Sequence, residues 1–197
     1  MSTSLEQVYE LEPRIKVARA RAGVLLLIIS DALAVIAVMA GAQYLRALNT
    51  EGQYKVAGDY APSFVAGLLV MIGLLLSGVA FYLWDRRASK AGKTGQSLFL
   101  LLSLLIMLVA AVGETWIGAT LRYGVPIQAY ESAHLLITWF TAIHLWLAVI
   151  IGILLGGRIL RGRVAGGHEF VAEVTGYWWY YTVVASILLW LFASYLT

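Results

Sequence analysis

Five long, uninterrupted apolar segments, at about 23–46, 64–84, 98–121, 133–156 and 174–196, dictate what this chain can fold into. Each can cross a hydrocarbon core of roughly 30 Å as a helix rising about 1.5 Å per residue. Lipid offers no partner to an open backbone N–H or C=O, so each crossing must satisfy its own backbone. The segments are continuously apolar rather than alternating, which argues against a β-barrel. The expected fold is therefore all-α: a polytopic membrane protein of five transmembrane helices. Residues 1–22 form an N-terminal segment at the membrane surface, and 23–197 form the bundle. Composition agrees, with 61 % of 197 residues hydrophobic, 13 % charged and a mean hydropathy of +0.82. A soluble domain of this size could not hide so much apolar surface, and no stretch is long enough for a separate catalytic domain.

The charges between the segments predict orientation. Arg14, Lys16, Arg19 and Arg21 precede the first span. Arg86, Arg87, Lys90 and Lys93 follow the second, and Arg158, Arg161 and Arg163 follow the fourth. Eleven of the 14 basic residues thus fall on one side, leaving Arg46, Lys55 and Arg122 for the other. The positive-inside rule then puts the N-terminus in the cytoplasm and the C-terminus outside. Basic residues beside anionic lipid account for the pI of about 9.2 without any nucleic-acid partner. The first 22 residues are polar and lack a cleavage-site pattern, so the first span is expected to act as its own insertion signal. Within them Leu5, Val8, Leu11, Ile15 and Ala18 suit a helix lying on the inner surface, which Pro13 would kink or interrupt. A leader that merely places its positive charges fits equally well. The outer connections carry turn formers (Asn49, Gly52, Gly58 and Pro62, then Gly124 and Pro126), and the inner loop Lys90–Gly95 is Gly- and Lys-rich. No tandem repeat is evident, and five spans do not divide into the equal halves of an inverted-repeat transporter.

Candidate chemistry lies where polar groups enter the spans, because a charge at the centre of a span costs about 2.5–3.5 kcal/mol on insertion scales. Asp31 in the first span and Glu114 in the third are the two carboxyls. His144 lies in the middle of the fourth span and His134 near its outer end. Helical rise puts Asp31 and Glu114 at different depths, roughly 12 Å and 24 Å from the inner side, so they are not a carboxylate pair. Glu114 and His144 differ by only about 8 Å in depth, so a contact between them is expected to be within reach. Such a pair would serve a proton-linked or head-group site, or simply fix helix packing. With no cysteine, thiolate metal sites and cysteine nucleophiles are excluded. A bis-histidine haem would need two histidines at matching depth on different helices, whereas His134 and His144 share a helix and His168 lies in a loop. No Glu-x-x-His motif, phosphate-binding glycine motif, dinucleotide fingerprint or plausible Ser–His–Asp set occurs. The expectation is a chain with no metal or cofactor of its own. Tyr177-Trp178-Trp179-Tyr180-Tyr181 opens the last span and, on composition, forms an aromatic belt at the inner interface. Gly67 and Gly73, Gly113 and Gly118, and Gly152, Gly156 and Gly157 permit close helix approach, within the bundle or against a partner.

The order of these features resembles the five-helix subunits III of haem–copper terminal oxidases. Ile29-Ser30-Asp31 is similar to that family's Met-Ser-Asp element, and Leu74-Leu75-Leu76-Ser77-Gly78 to its Leu- and Ser-rich second helix. Glu114 falls where the family carries a late third-helix glutamate. Thr141-Ala142-Ile143-His144 resembles its Thr-His-Gly-Leu-His segment, with His144 on the second histidine, and Arg158 and Arg161 follow as basic residues do there. Tyr177-Trp178-Trp179-Tyr180 is similar to the Tyr-Trp-His-Phe opening of the last helix. The resemblance runs from about residue 23 to the end. It departs where the family's second-helix glutamate is Val70 or a neighbour, where the first fourth-helix histidine is Thr141, and where the last-helix His and Asp are Trp179 and Thr182.

The resemblance implies an accessory subunit without a catalytic centre. It would pack on the catalytic subunit I among other respiratory-complex subunits, with haem and copper in those partners. It would hold phospholipid and support proton uptake and stability in the inner (plasma) membrane. Asp31, Glu114, His144, Trp178 and Trp179 then become buried polar, lipid or packing residues. Two other readings stand beside it: a small proton-coupled transporter or channel with Glu114 and His144 as its relay, and the related accessory subunit of a nitric oxide reductase.

Overall fold

The computed structural model describes residues 13–48, 54–55, 63–88, 97–121, 129–162 and 170–196. They form helices α1 (Pro13–Ala47), α2 (Phe64–Ala88), α3 (Ser97–Thr120), α4 (Ala129–Leu160) and α5 (Phe170–Leu196). No strand occurs among the described residues. All five helices are long and apolar enough to cross a membrane. The fold is all-α and polytopic, as the apolar segments require. The turn formers Asn49, Gly52, Gly58, Pro62, Gly124 and Pro126, the loop Lys90–Gly95, His168 and the first 12 residues of the tail lie outside the described residues.

The helix ends follow local chemistry. Pro13 is the first described residue of α1. From there α1 runs unbroken into the membrane, so residues 13–22 are not a separate surface helix. At 35 residues α1 is about 52 Å long, more than a bilayer core needs, and its excess carries Lys16, Arg19 and Arg21 beyond the apolar stretch. Ser63 caps α2 through Oγ, which accepts the Ala66 N–H at 3.3 Å. Gly162 ends α4 in the left-handed region (φ 66°), and its N–H reaches the Ile159 carbonyl at 2.9 Å.

Helices α2, α3, α4 and α5 make a closed up-down ring, each touching the next and α5 returning to α2. Helix α1 stands outside it, in the groove between α4 and α5. Only 6 % of its apolar window is buried, against 33–39 % for the other four, so α1 is the helix least held by apolar contact. It runs parallel to α5. Arg21, in the third turn of α1, meets Glu173 in the first turn of α5 (2.7 Å), and Arg46 Nη1 donates to the Tyr195 carbonyl where both helices end (3.4 Å).

The ring's core is aromatic. Phe81 stacks on Trp179 (centroids 5.0 Å, 20°) and meets Trp84 and Tyr180 edge-on. Gly152 lets Trp179 in: a Cβ there would sit 2.8 Å from both the Trp179 ring and Leu104. Gly67 does the same for Trp190, and Gly118 is closely approached by Thr138 and Trp139. Gly156 and Gly157 have nothing within 4 Å and do not serve packing inside the bundle. Beside Trp179, Ser77 and Ser103 donate to each other's carbonyls at 2.8 Å and clamp α2 to α3. Trp179 Nε1 donates to Ser77 Oγ at 3.2 Å, bringing α5 into the same knot.

Candidate functional site

Asp31 is the centre of the polar groups in the bundle. Its Oδ1 lies 2.8 Å from His144 Nε2 on α4, and its Oδ2 accepts the Tyr181 hydroxyl of α5 at 2.6 Å. The other imidazole nitrogen, His144 Nδ1, lies 2.6 Å from the Phe140 carbonyl one turn back. A carbonyl oxygen can only accept, so Nδ1 carries a hydrogen. The Nε2···Oδ1 contact then needs one further proton, on the imidazole or on the carboxyl. Either way Asp31 and His144 together hold one shared proton and no net charge. That is how a carboxyl and an imidazole can sit within an apolar span at low cost. Both side chains are largely buried, at 18 % and 12 % exposure. Phe140 packs against the His144 ring (centroids 4.4 Å), with Trp178 beyond it and against Tyr181.

The expected contact between Glu114 and His144 is absent: no hydrogen bond joins them among the described residues, and the imidazole is already occupied on both nitrogens. The periodic constraint is rotational. Glu114 faces into a second, separate site. With His134 it lines a cleft of about 180 Å³ bounded by α2, α3, α4 and α5, toward the end of the bundle where α1 and α5 finish. Thr138, Thr141, Ser63 and Ser194 also line it. Glu114 and His134 are both buried, and His134 Nε2 has no partner among the described residues. Tyr130 packs on the His134 ring at 4.5 Å, and Tyr54 packs edge-on against Tyr130. Burial pushes the Tyr54 phenol up from its ordinary value, with Arg46 opposing.

Trp178 and Trp179 do not form an interfacial belt. Both are buried inside the bundle, Trp178 beside the Asp31 group and Trp179 in the ring's core. The belt reading fails because composition does not record which helix face turns inward. Sequence reasoning missed Tyr181, Ser103 and the pairing of Asp31 with His144. Among the described residues no three His, Asp or Glu side chains converge on one point. No protein-family model matches the chain, and no curated protein matches it.

Proposed function

We infer that the chain is an accessory membrane subunit of the subunit III type, serving a respiratory haem–copper oxidase in the inner (plasma) membrane. One observation carries this reading: Asp31, His144 and Tyr181 satisfy one another within the chain and tie three helices together. Used in this way, the polar groups are fasteners rather than an open conduction path. The motif order Ile29-Ser30-Asp31, Glu114, Thr141-Ala142-Ile143-His144 and Tyr177-Trp178-Trp179-Tyr180 supports the family assignment. The exposed apolar surface of α1, including Leu26, Ile29, Leu33 and Ile36, suits lipid or the catalytic subunit. On this reading haem and copper belong to partner subunits, phospholipid fills the grooves, and the basic end of the bundle faces the cytoplasm. The departures at Val70, Thr141, Trp179 and Thr182 mean that the family's lipid contacts do not transfer residue by residue. An accessory role in a nitric oxide reductase shares the same supports.

Purification from native membrane tests the assignment. The expected preparation contains larger subunits and haem absorbance. Haem a or o marks an oxidase, whereas b- and c-type haem only marks the reductase. A chain recovered alone and colourless overturns the reading. The transporter reading predicts proton-coupled flux by the isolated chain in liposomes, and its proposed relay has lost support because His144 faces Asp31 instead of Glu114.

A further inference from the structure

The Glu114 cleft lies apart from the Asp31 group and plays no part in tying α1 to the bundle. Its lining has a consistent chemical sense. Glu114 is the acidic residue in it, and among the described residues no Lys or Arg lines it. Two of its hydroxyls have already spent their protons: Thr141 donates to the Ile137 carbonyl and Ser194 to the Trp190 carbonyl, each at 2.9 Å. What these hydroxyls have left to offer is lone pairs. His134 borders the cleft, with its Nε2 shut off behind the ring. The donors still present are the Ser63 and Thr138 hydroxyls and the Trp190 N–H, at α2, α4 and α5. A buried polar group without a partner costs roughly 1–3 kcal/mol, so the lining favours an occupant that brings hydrogens and positive charge to Glu114. The volume of about 180 Å³ takes a small polar group and excludes a large one. Phe64, which lines the cleft and is largely exposed, gives such a group's hydrocarbon a surface to lie on.

We propose that this cleft binds a primary ammonium group, with the Glu114 carboxylate as its counter-ion and the Thr141 and Ser194 hydroxyl oxygens as further acceptors. The ammonium can arrive on an ethanolamine phospholipid or on a free small amine. The site stands whether or not the chain serves an oxidase. It also differs from a generic lipid groove, because N–H donors rather than apolar area decide what binds.

The protein, in whatever assembly it is isolated, is titrated in detergent with short-chain phosphatidylethanolamine, phosphatidylcholine and phosphatidylglycerol of the same acyl length, and with free ethanolamine. Bound molecules are counted by native mass spectrometry. The ethanolamine lipid is expected to bind about tenfold more tightly than the choline lipid, whose nitrogen carries no hydrogen, given the strength of charge-assisted hydrogen bonds. Glu114→Gln should shrink that preference to within about twofold. Binding of free ethanolamine with the same Glu114 dependence supports the site and assigns it to a soluble amine. Equal binding of the three lipids by the unsubstituted protein, or tighter binding of phosphatidylglycerol, overturns the proposal without need of any variant. A preference that survives in a folded Glu114→Gln protein overturns it too.

Discussion

Asp31 is held by its neighbours rather than by water. Removing its carboxylate strands the hydroxyl of Tyr181 and disturbs the imidazole of His144 at once. Asp31→Ala is expected to cost about 1–3 kcal/mol in a detergent-unfolding titration, and Tyr181→Phe about 0.5–1.5 kcal/mol. The Asp31→Ala, His144→Ala double variant should lose less than the sum of its singles by about 1–2 kcal/mol, because the second change finds the contact already broken. Strict additivity would contradict the pairing. The pair was legible in part. Counted from the basic end, Asp31 is about eight residues into its span, His144 about twelve and Glu114 about sixteen, so each carboxyl lies about 6 Å in depth from the imidazole. Depth alone is degenerate, however. Choosing between two carboxyls needs the rotation of each helix, and with apolar residues all round these helices no stripe reveals it. Tyr181 was hidden for the same reason, as one of five aromatic residues in a row.

Among the elements, α1 is the one held at few points. Its links to α5, Arg21 to Glu173, Asp31 to Tyr181 and Arg46 to Tyr195, join residues at nearly constant sequence separation (152, 150 and 149), as two parallel helices in register require. The outer two are exposed and screened by solvent, so Arg21→Ala should leave the unfolding midpoint unchanged. Asp31→Ala should instead loosen α1 selectively: hydrogen exchange should quicken along α1 while α3 amides stay protected. Equal acceleration in all five helices would mean that α1 is not separately hinged on Asp31. The glycines divide in the same physical way. Gly152→Ala pushes a methyl into Trp179, which is fixed by Phe81 and Ser77, and should cost about 1–3 kcal/mol. Gly156→Ala meets open space and should be neutral or stabilise by up to about 1 kcal/mol through helix propensity. Both lie in the same apolar run, so their sequence context does not separate them. What does is the neighbouring Trp179, which arrives from another helix.

At the scale of the whole molecule, the five spans were plain in the sequence, because hydrocarbon thickness and backbone hydrogen bonding leave a long apolar segment no alternative. The arrangement of those spans was not, since lipid-facing and helix-facing side chains are equally apolar. The ring of α2 to α5 with α1 outside is set by the small residues and the few polar contacts just described. An odd number of alternating helices puts the start of α1 and the end of α5 at opposite ends of the bundle. Lys16, Arg19, Arg21, Arg86, Arg158 and Arg161 share the first of these ends, and Arg46 and Lys55 lie at the other. The chain contains no cysteine, so single cysteines can be introduced one at a time without background. On the proposed inner-membrane location and orientation, cysteines placed in turn at Arg19, Arg161 and Thr197 of the protein in sealed membrane vesicles and spheroplasts should react with a membrane-impermeant maleimide from the cytoplasmic side at the first two positions and from the outer side at Thr197. Labelling of positions 19 and 197 from the same side would contradict five crossings and, with them, the bundle in which Asp31, His144 and Tyr181 meet.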